Sequence, residues 1–318
     1  MTNTAATERP PSSNAQNTAQ KIAQDTAQDT SQNTAQSVIQ ELDQARTTGP
    51  LRQIKVPPCP ALLVRLQAAM ATAEPDLNEV ARIATSDVAM AATLLRNANG
   101  PLHAASQPVN TIGQAMNRIG LKATAALLTE FLLRHSIPVN HPQLRGFWER
   151  SALRAAMLHF LARQLPGLEP EMAHLYGLFS HVGQPVLLQC VRGYGGTLVE
   201  AEARIDRSFV ATENANHRTD HAVVGAMVAR AWHVAPAVVA AIRLHHDLDM
   251  LGSSRVDPEV QTLVAAGLLA EHLVRQREGL DAEADWLKHA GKSLQWLGFS
   301  IDDLADWDPA LQTELNAV

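Results

Sequence analysis

Apolar residues recur at helical spacing from Leu51 to near the end of the chain, and this pattern constrains the fold more than any other feature. One such stripe consists of Leu62, Leu63, Leu66 and Met70. Its members lie at positions i, i+1, i+4 and i+8, so they share one face of a helix. Alternating β-branched and polar residues, which are typical of half-buried strands, are scarce. The body of the chain is therefore predicted to be all-α.

Residues that begin and end helices interrupt this pattern at regular intervals. Thr111, followed three residues later by Gln114, has the spacing of a capping box, in which each side chain satisfies a free backbone N–H group. Ser86 is predicted to be the N-cap of a helix that ends near Asn99. Asn99 and Gly100 suit a left-handed C-cap.

The first 48 residues have a different composition, dominated by Thr, Ala, Gln, Asn, Asp and Ser. Residues 13–40 run in tetrads that end in glutamine: SNAQ, NTAQ, KIAQ, DTAQ, DTSQ, NTAQ and SVIQ. A period of four advances about 400° per repeat on a helix, so the glutamines would drift around it and leave little apolar surface to bury. Residues 1–48 are predicted to be a disordered low-complexity tail. A helix formed on contact with a partner is the alternative.

A polar segment that contains prolines, residues 135–143, separates two sets of predicted helices. The predicted organisation is an N-terminal helical bundle at 49–140, a second helical subdomain at 141–250 and C-terminal helices at 251–318 packed on the second subdomain. The last segment carries three tryptophans, Trp286, Trp296 and Trp307. They are predicted to be core residues rather than cofactor contacts.

Net charge and cysteine spacing exclude several classes of function. The formal net charge of −6 is unfavourable for a protein that coats nucleic acid. No apolar run approaches the ~20 residues of a membrane-spanning helix, and no signal peptide begins the chain, so we expect a soluble cytoplasmic protein that contacts neither nucleic acid nor membrane. Cys59 and Cys190 lie far apart, so neither a disulfide framework nor a zinc ribbon is predicted.

Several segments, taken in order, resemble one known family. In the first set these are PPCPALLVRLQAAMA, EVARIATSDVAMAATLLRNANG and VNTIGQAMNRIGL; in the second, GLFSHVGQPVL and DHAVVGAMVARAWHVAPAVVAAIRLHHD. Over residues 51–250 the chain is similar to HDOD domains, bacterial signalling proteins related to the HD and HD-GYP phosphohydrolases. The resemblance implies a bundle packed on an HD-like helical subdomain at 141–250. It also implies a regulatory or scaffold role through contacts with other signalling proteins.

The resemblance further implies that the chemistry of HD phosphohydrolases is altered in this chain. Those enzymes hold one or two divalent ions with histidines and aspartates. Aligning Gly177 and Gly183 with the glycines of their His-Asp signature places Ser180 at the histidine and His181 at the aspartate. A serine hydroxyl is a poor metal ligand, and an imidazole cannot bridge two ions as a carboxylate does. The favoured expectation is therefore a non-catalytic signal-transduction module without a cofactor.

Other residues near the expected site keep an alternative open. The candidate metal ligands are His181, His217, His221, His245, His246 and Asp247. His217 and His221 have the i, i+4 spacing that allows two imidazoles to chelate one ion, but no carboxylate partner lies between them. The alternative is a divergent phosphohydrolase of a nucleotide or cyclic dinucleotide that uses one divalent metal ion. It predicts that these side chains converge in one pocket.

A second group of polar residues lies in the predicted N-terminal bundle and is a possible interaction site. The group consists of Ser86, Asp87, Arg96, Asn97 and Asn99. Helix capping is the simpler interpretation of such residues. Contact with a partner, or with the HD-like subdomain, is the other. No sequence feature identifies the partner or the oligomeric state.

Overall fold

The computed structural model describes residues 34–47, 49–103, 107–300 and 303–304. All regular secondary structure in these residues is helical, and no strand occurs among them. The all-α prediction is confirmed. The first six helices are α1 (34–47), α2 (Ala61–Met70), α3 (Leu77–Thr85), α4 (Val88–Ala98), α5 (Ile112–Ile119) and α6 (Leu121–Ser136). Helices α2 to α6 pack on one another and form the N-terminal bundle.

Nine helices follow in the described part of the chain. They are α7 (Phe147–Gln164), α8 (Pro170–Phe179), α9 (Gly183–Cys190), α10 (Tyr194–Ala203), α11 (Phe209–His217), α12 (His221–Ala231), α13 (Pro236–Leu244), α14 (Pro258–Arg277) and α15 (Ala284–Leu297). Helix α8 contacts α6 of the bundle and also α7, α13 and α14, so it lies at the centre of the fold. None of the described helices is long and apolar enough to cross a membrane.

The start of α5 follows the predicted capping pattern. Thr111 Oγ1 accepts a hydrogen bond from the backbone N–H of Gln114, at 3.3 Å. Gln114 Oε1 accepts one in return from the N–H of Asn110, at 3.1 Å. The reciprocal bond therefore reaches one residue further back than in the standard capping box.

The start of α4 differs from the prediction by one residue. Its N-cap is Asp87, whose Oδ1 accepts from the N–H of Met90 at 2.9 Å. Ser86 instead ends α3, and its hydroxyl donates to the carbonyl of Ile83 at 2.7 Å. Both residue types cap helices well, but the charge of the aspartate also favours the positive end of the helix dipole.

The end of α4 lacks the predicted left-handed C-cap. Asn99 has a φ of −99°, and Gly100 is not among the residues with positive φ. Asn99 instead donates to the carbonyls of Leu95 and Val109 at 3.0 and 2.9 Å, and accepts from the N–H of Val109 at 2.8 Å. The prediction was wrong because the amide side chain supplies the partners that a left-handed residue would otherwise provide.

Residues 34–47 correct part of the predicted tail, since they form helix α1 instead of a disordered segment. Val38 and Leu42, one helical turn apart, are 5% and 1% exposed. Asp43 forms a two-point ion pair with Arg230 of α12, with Nη2 to Oδ2 at 2.8 Å. These contacts provide buried apolar surface that the tetrad pattern did not predict. The rest of the predicted tail, residues 1–33, lies outside the described residues, as does Trp307.

Two glycines bring the helices of the second half unusually close together. A Cβ added at Gly177 would lie 2.6 Å from the Cα of Ala155 on α7. A Cβ added at Gly183 would lie 2.1 Å from the carbonyl oxygen of His221 and 2.7 Å from the nitrogen of Gly225. Helix α9 therefore touches the backbone of α12 at a point where only glycine fits. This contact places His181 beside the start of α12.

Replacing Gly183 with alanine is expected to destabilise the protein by about 2–4 kcal/mol, because the new methyl group meets backbone atoms that cannot rotate away. Equilibrium unfolding in urea measures the change. Gly196→Ala is the matched control: Gly196 is helical and its added Cβ would have no neighbour within 4 Å. The free energy of unfolding of that variant is expected to equal or slightly exceed that of the wild type. Equal stability of the two variants would contradict the close contact.

Candidate metal centre

Three histidines from separate parts of the chain converge next to α8. His181 lies between α8 and α9, His221 begins α12, and His245 follows the last residue of α13. The ring centroids are 5.0 Å apart for His181 and His221, 5.2 Å for His181 and His245, and 5.1 Å for His221 and His245. One nitrogen of each ring lies within 4.8 Å of the others, close enough that the three rings could hold a metal ion.

A fourth histidine lies against this group. The centroid of the His246 ring is 4.1 Å from that of His245 and 5.0 Å from that of His221. Its Nε2 is 3.3 Å from Nε2 of His221, which is also 3.2 Å from Nε2 of His245. We call His181, His221, His245 and His246 the histidine cluster.

The outer nitrogens of three of these rings each face a hydrogen-bond acceptor. His221 Nδ1 lies 2.7 Å from Glu213 Oε2, and His246 Nδ1 lies 2.5 Å from Asp285 Oδ2. His245 Nδ1 lies 2.7 Å from the carbonyl oxygen of Ile242. A carboxylate or carbonyl oxygen only accepts, so each Nδ1 carries the proton and donates it. In a neutral ring Nε2 then presents a lone pair.

The lone pairs on these three Nε2 atoms therefore point towards one another. Such an arrangement needs a cation between the rings, either a proton on one ring or a metal ion. In a tetrahedral zinc site with Zn–N bonds of about 2.0–2.1 Å, two ligand nitrogens are about 3.3–3.4 Å apart. Nε2 of His221 lies 3.2 Å from Nε2 of His245 and 3.3 Å from Nε2 of His246, close to this value. A nitrogen of His181 lies within 4.8 Å of those of His221 and His245, so small shifts of its ring would bring it to the ion. The donor set fits a single metal ion.

The electrostatic environment divides the rings into two types. Burial lowers the pKa of His181 well below its usual range, and Arg154 and the other rings lower it further. Burial and the neighbouring rings do the same to the pKa of His245. Burial would also lower the pKa of His221, but the carboxylate of Glu213 outweighs it and raises the pKa. The rings of His181 and His245 therefore stay neutral, while Glu213 favours a positive charge on His221.

Two of the candidate ligands lie outside the cluster. His217 is the last residue of α11, and its Nε2 lies 2.8 Å from Thr197 Oγ1. The predicted pairing of His217 with His221 on one helix face is not formed, because Arg218 has a left-handed φ of 56° and separates the two helices. Asp247 is exposed and begins a 3₁₀ turn.

Ser180 and His181, the residues that the resemblance aligns with the His-Asp signature, have different surroundings. Ser180 is buried, and its hydroxyl donates to the carbonyl of Gly177 at 3.3 Å, within its own helix turn. His181 instead belongs to the histidine cluster. Glu213 was missed in the sequence because a buried acid at a helix interior position has no distinguishing pattern. Its place eight residues before His221 was the only available signal.

A pocket of about 460 Å³ opens beside the cluster, and His181, His221 and His246 contribute to its wall. Four arginines line the same pocket: Arg145, Arg150, Arg154 and Arg275. Three of them lie within ten residues of one another, on α7 and just before it, and Arg275 comes from α14. The spacing of Arg150 and Arg154, one turn apart on α7, was the available signal.

The second group of candidate residues lies in the N-terminal bundle. Ser86, Asp87 and Asn99 make the helix-end hydrogen bonds described above. Arg96 is exposed and donates to Thr93 Oγ1 at 3.0 Å. Asn97 is partly exposed on the same helix.

Proteins of known sequence or structure resemble this chain over much of its length. A protein from Treponema pallidum (strain Nichols), described as uncharacterized, is 22% identical over 226 residues, which are 70% of this chain and 43% of that protein. The chain thus matches less than half the length of this relative.

Two crystal structures share the fold at low sequence identity. One is a Shewanella amazonensis SB2B protein provisionally named a phosphohydrolase, with a TM-score of 0.64, 18% identity, and coverage of 88% of this chain and 97% of that one. The other is a Marinobacter aquaeolei VT8 protein provisionally named a signal transduction protein, with a TM-score of 0.65, 19% identity, and coverage of 83% and 58%. The HDOD domain matches residues 56–248, more than half of the chain. The chain belongs to the HDOD domain family.

Proposed function

We propose that this protein is a non-catalytic regulatory module that holds one divalent metal ion on His181, His221 and His245. The observation that carries the proposal is the orientation of the rings, with Nδ1 of His221 and His245 bound to outer acceptors and Nε2 directed inward. Metal-binding histidines in proteins are held in this way by carboxylates and carbonyls. The sequence favoured a non-catalytic module without a cofactor. The geometry leads us to keep the non-catalytic role and to adopt the single metal ion of the alternative.

The donor set supports one ion rather than two. The candidate ligand group among the described residues consists of three imidazoles and contains no carboxylate. Glu213 and Asp285, the acids next to the rings, bind the outer nitrogens. A bridged pair of ions needs a ligand that can contact both, which an imidazole whose Nδ1 donates to an outer acceptor cannot do. Because this ligand group offers no carboxylate to bridge two ions, we propose a regulatory role instead of two-metal hydrolysis.

The regulatory part of the proposal rests on the family and on the surface of the bundle. HDOD domains form a signalling-related, HD-like family, and the Marinobacter aquaeolei neighbour carries a signal-transduction name. Such a role requires contacts with other signalling proteins. Val88, at the start of α4, is 87% exposed, and Leu77, at the start of α3, is 57% exposed. Exposed apolar side chains of this kind are available for such contacts.

Imidazole ligands favour zinc, copper, nickel or iron over magnesium and calcium. Purified protein is therefore expected to contain about one equivalent of such a metal per chain. Elemental analysis by inductively coupled plasma mass spectrometry measures this content. His245→Ala is expected to reduce the affinity by more than about a hundredfold, since it removes a direct ligand. His217→Ala is the matched control, because His217 lies outside the cluster. A metal-free protein that takes up no ion on addition of zinc would disprove the site.

Glu213→Gln is expected to weaken metal binding by about tenfold to a hundredfold, because the amide holds His221 less firmly and carries no charge. Competition with a fluorescent chelator measures the affinity. Glu149→Gln makes the same change at a side chain that is 71% exposed, and should bind metal like the wild type. Equal affinities of all three proteins would show that Glu213 does not support the site.

A single-ion phosphohydrolase is the second candidate. His181, His221 and His246 line the pocket, so an ion held there would be within reach of a ligand. The Shewanella amazonensis neighbour carries the name of a phosphohydrolase. Both candidates hold one metal ion at the cluster, but only this one predicts turnover of a phosphorylated substrate.

The proposed function predicts no metal-dependent hydrolysis of cyclic dinucleotides, guanosine tetraphosphate or nucleoside phosphates by zinc- or manganese-loaded protein. Phosphate release and chromatography of the products measure the reaction. Turnover that disappears in His245→Ala but persists in His217→Ala would replace the regulatory proposal with the single-ion hydrolase. Turnover that persists in both variants would indicate a contaminating enzyme.

A further inference from the structure

We infer that the pocket beside the histidine cluster binds an oxyanion, the phosphate or carboxylate group of a small ligand, through Arg154. This inference deepens the proposed function, because it names the ligand class of the same pocket. It rests on residues other than the histidines, however, so the two can fail separately.

Arg154 is a buried cation with one donor group left unpaired. Its side chain is 4% exposed, and its Nε donates to Glu271 Oε2 at 2.6 Å. Its Nη1 is also buried but has no hydrogen-bond partner in the described structure. Buried donors on charged groups are almost always satisfied, because leaving one unpaired sacrifices its solvation. An oxyanion in the pocket would satisfy it.

The charges around the pocket favour an anion over a cation. Four guanidinium groups line it, and three of them are ion-paired: Arg150 with Glu278, Arg154 with Glu271, and Arg275 with Glu202 and Glu283. Arg145 is exposed and faces the pocket from the segment before α7. Burial and the neighbouring Glu271 raise the pKa of Glu283 to about 7, so this side chain is partly neutral near physiological pH. Because Glu283 is partly neutral and Arg145 forms no ion pair among the described residues, the pocket keeps a small excess of positive charge.

The remainder of the wall suits the organic part of a small ligand. Phe147 and Phe209 contribute aromatic surface, and Leu280, which is 38% exposed, contributes an aliphatic edge. A volume of about 460 Å³ lies within the range of small-molecule sites. Guanidinium groups bind phosphate and carboxylate through paired N–H donors, which gives orientation as well as affinity. A small organic phosphate or carboxylate fits both the polar and the apolar part of the wall.

Titration calorimetry with inorganic phosphate, and separately with acetate, tests the site in protein stripped of metal by a chelator. Arg154 cannot be removed alone, because Glu271 would remain as a buried unpaired charge. The double variant Arg154→Met, Glu271→Met removes the pair together, and is expected to fold and to lose phosphate binding. Arg145→Gln is expected to weaken binding by about twofold to fivefold, since this arginine is exposed. Arg192→Gln changes the charge at an exposed arginine outside the pocket wall and should bind like the wild type.

Tighter binding of phosphate than of acetate would support a phosphorylated ligand, and the reverse would support a carboxylate ligand. Wild-type protein that binds neither anion, or a folded double variant that binds as well as the wild type, would overturn the inference. Phosphate binding that persists in His221→Ala would separate the anion site from the metal site. Metal uptake without anion binding would leave the proposed function intact and remove only this inference.

Discussion

The contact between Glu213 and His221 holds together the part of the fold in which the cluster lies. Glu213 is a fully buried carboxylate, and a buried charge is costly unless it is paired and hydrogen-bonded. Three donors reach it: the side-chain Nδ1 of His221, the backbone N–H of His221 at 3.3 Å, and the hydroxyl of Tyr194. These groups come from α10, α11 and α12, so the carboxylate fixes the positions of three helices. Each of them must be in place before the inner nitrogen of His221 can face the other rings.

Close packing of glycine brings the other half of the cluster to this point. Because Gly183 allows α9 to touch the carbonyl of His221, the turn that carries His181 is held against the start of α12. The position of His181 therefore depends on backbone contact, whereas that of His221 depends on a buried charge. His181 thereby brings a ring nitrogen to within 4.8 Å of those of His221 and His245.

The sequence predicted local features better than it predicted the environment of the site. The all-helical fold and the cap at Thr111 follow from spacing and residue type, which act over a few neighbouring residues. The separation of His217 from His221 could not be anticipated, because it depends on a single left-handed residue, Arg218. Nor could the buried states of Glu213 and Arg154, since in sequence they are indistinguishable from acids and arginines on a solvated helix face. Burial of this kind is decided by tertiary packing.

Helix α1 is attached to the two helices that carry His221 and His245. Asp43 pairs with Arg230 of α12, and Glu41 pairs with Arg243 of α13 at 2.6 Å, two residues before His245. The attachment of α1 and the arrangement of the rings are therefore thermodynamically linked. A ligand that binds the cluster and favours one position of α13 changes the free energy of detaching α1. Detaching α1 changes the binding free energy of that ligand by the same amount.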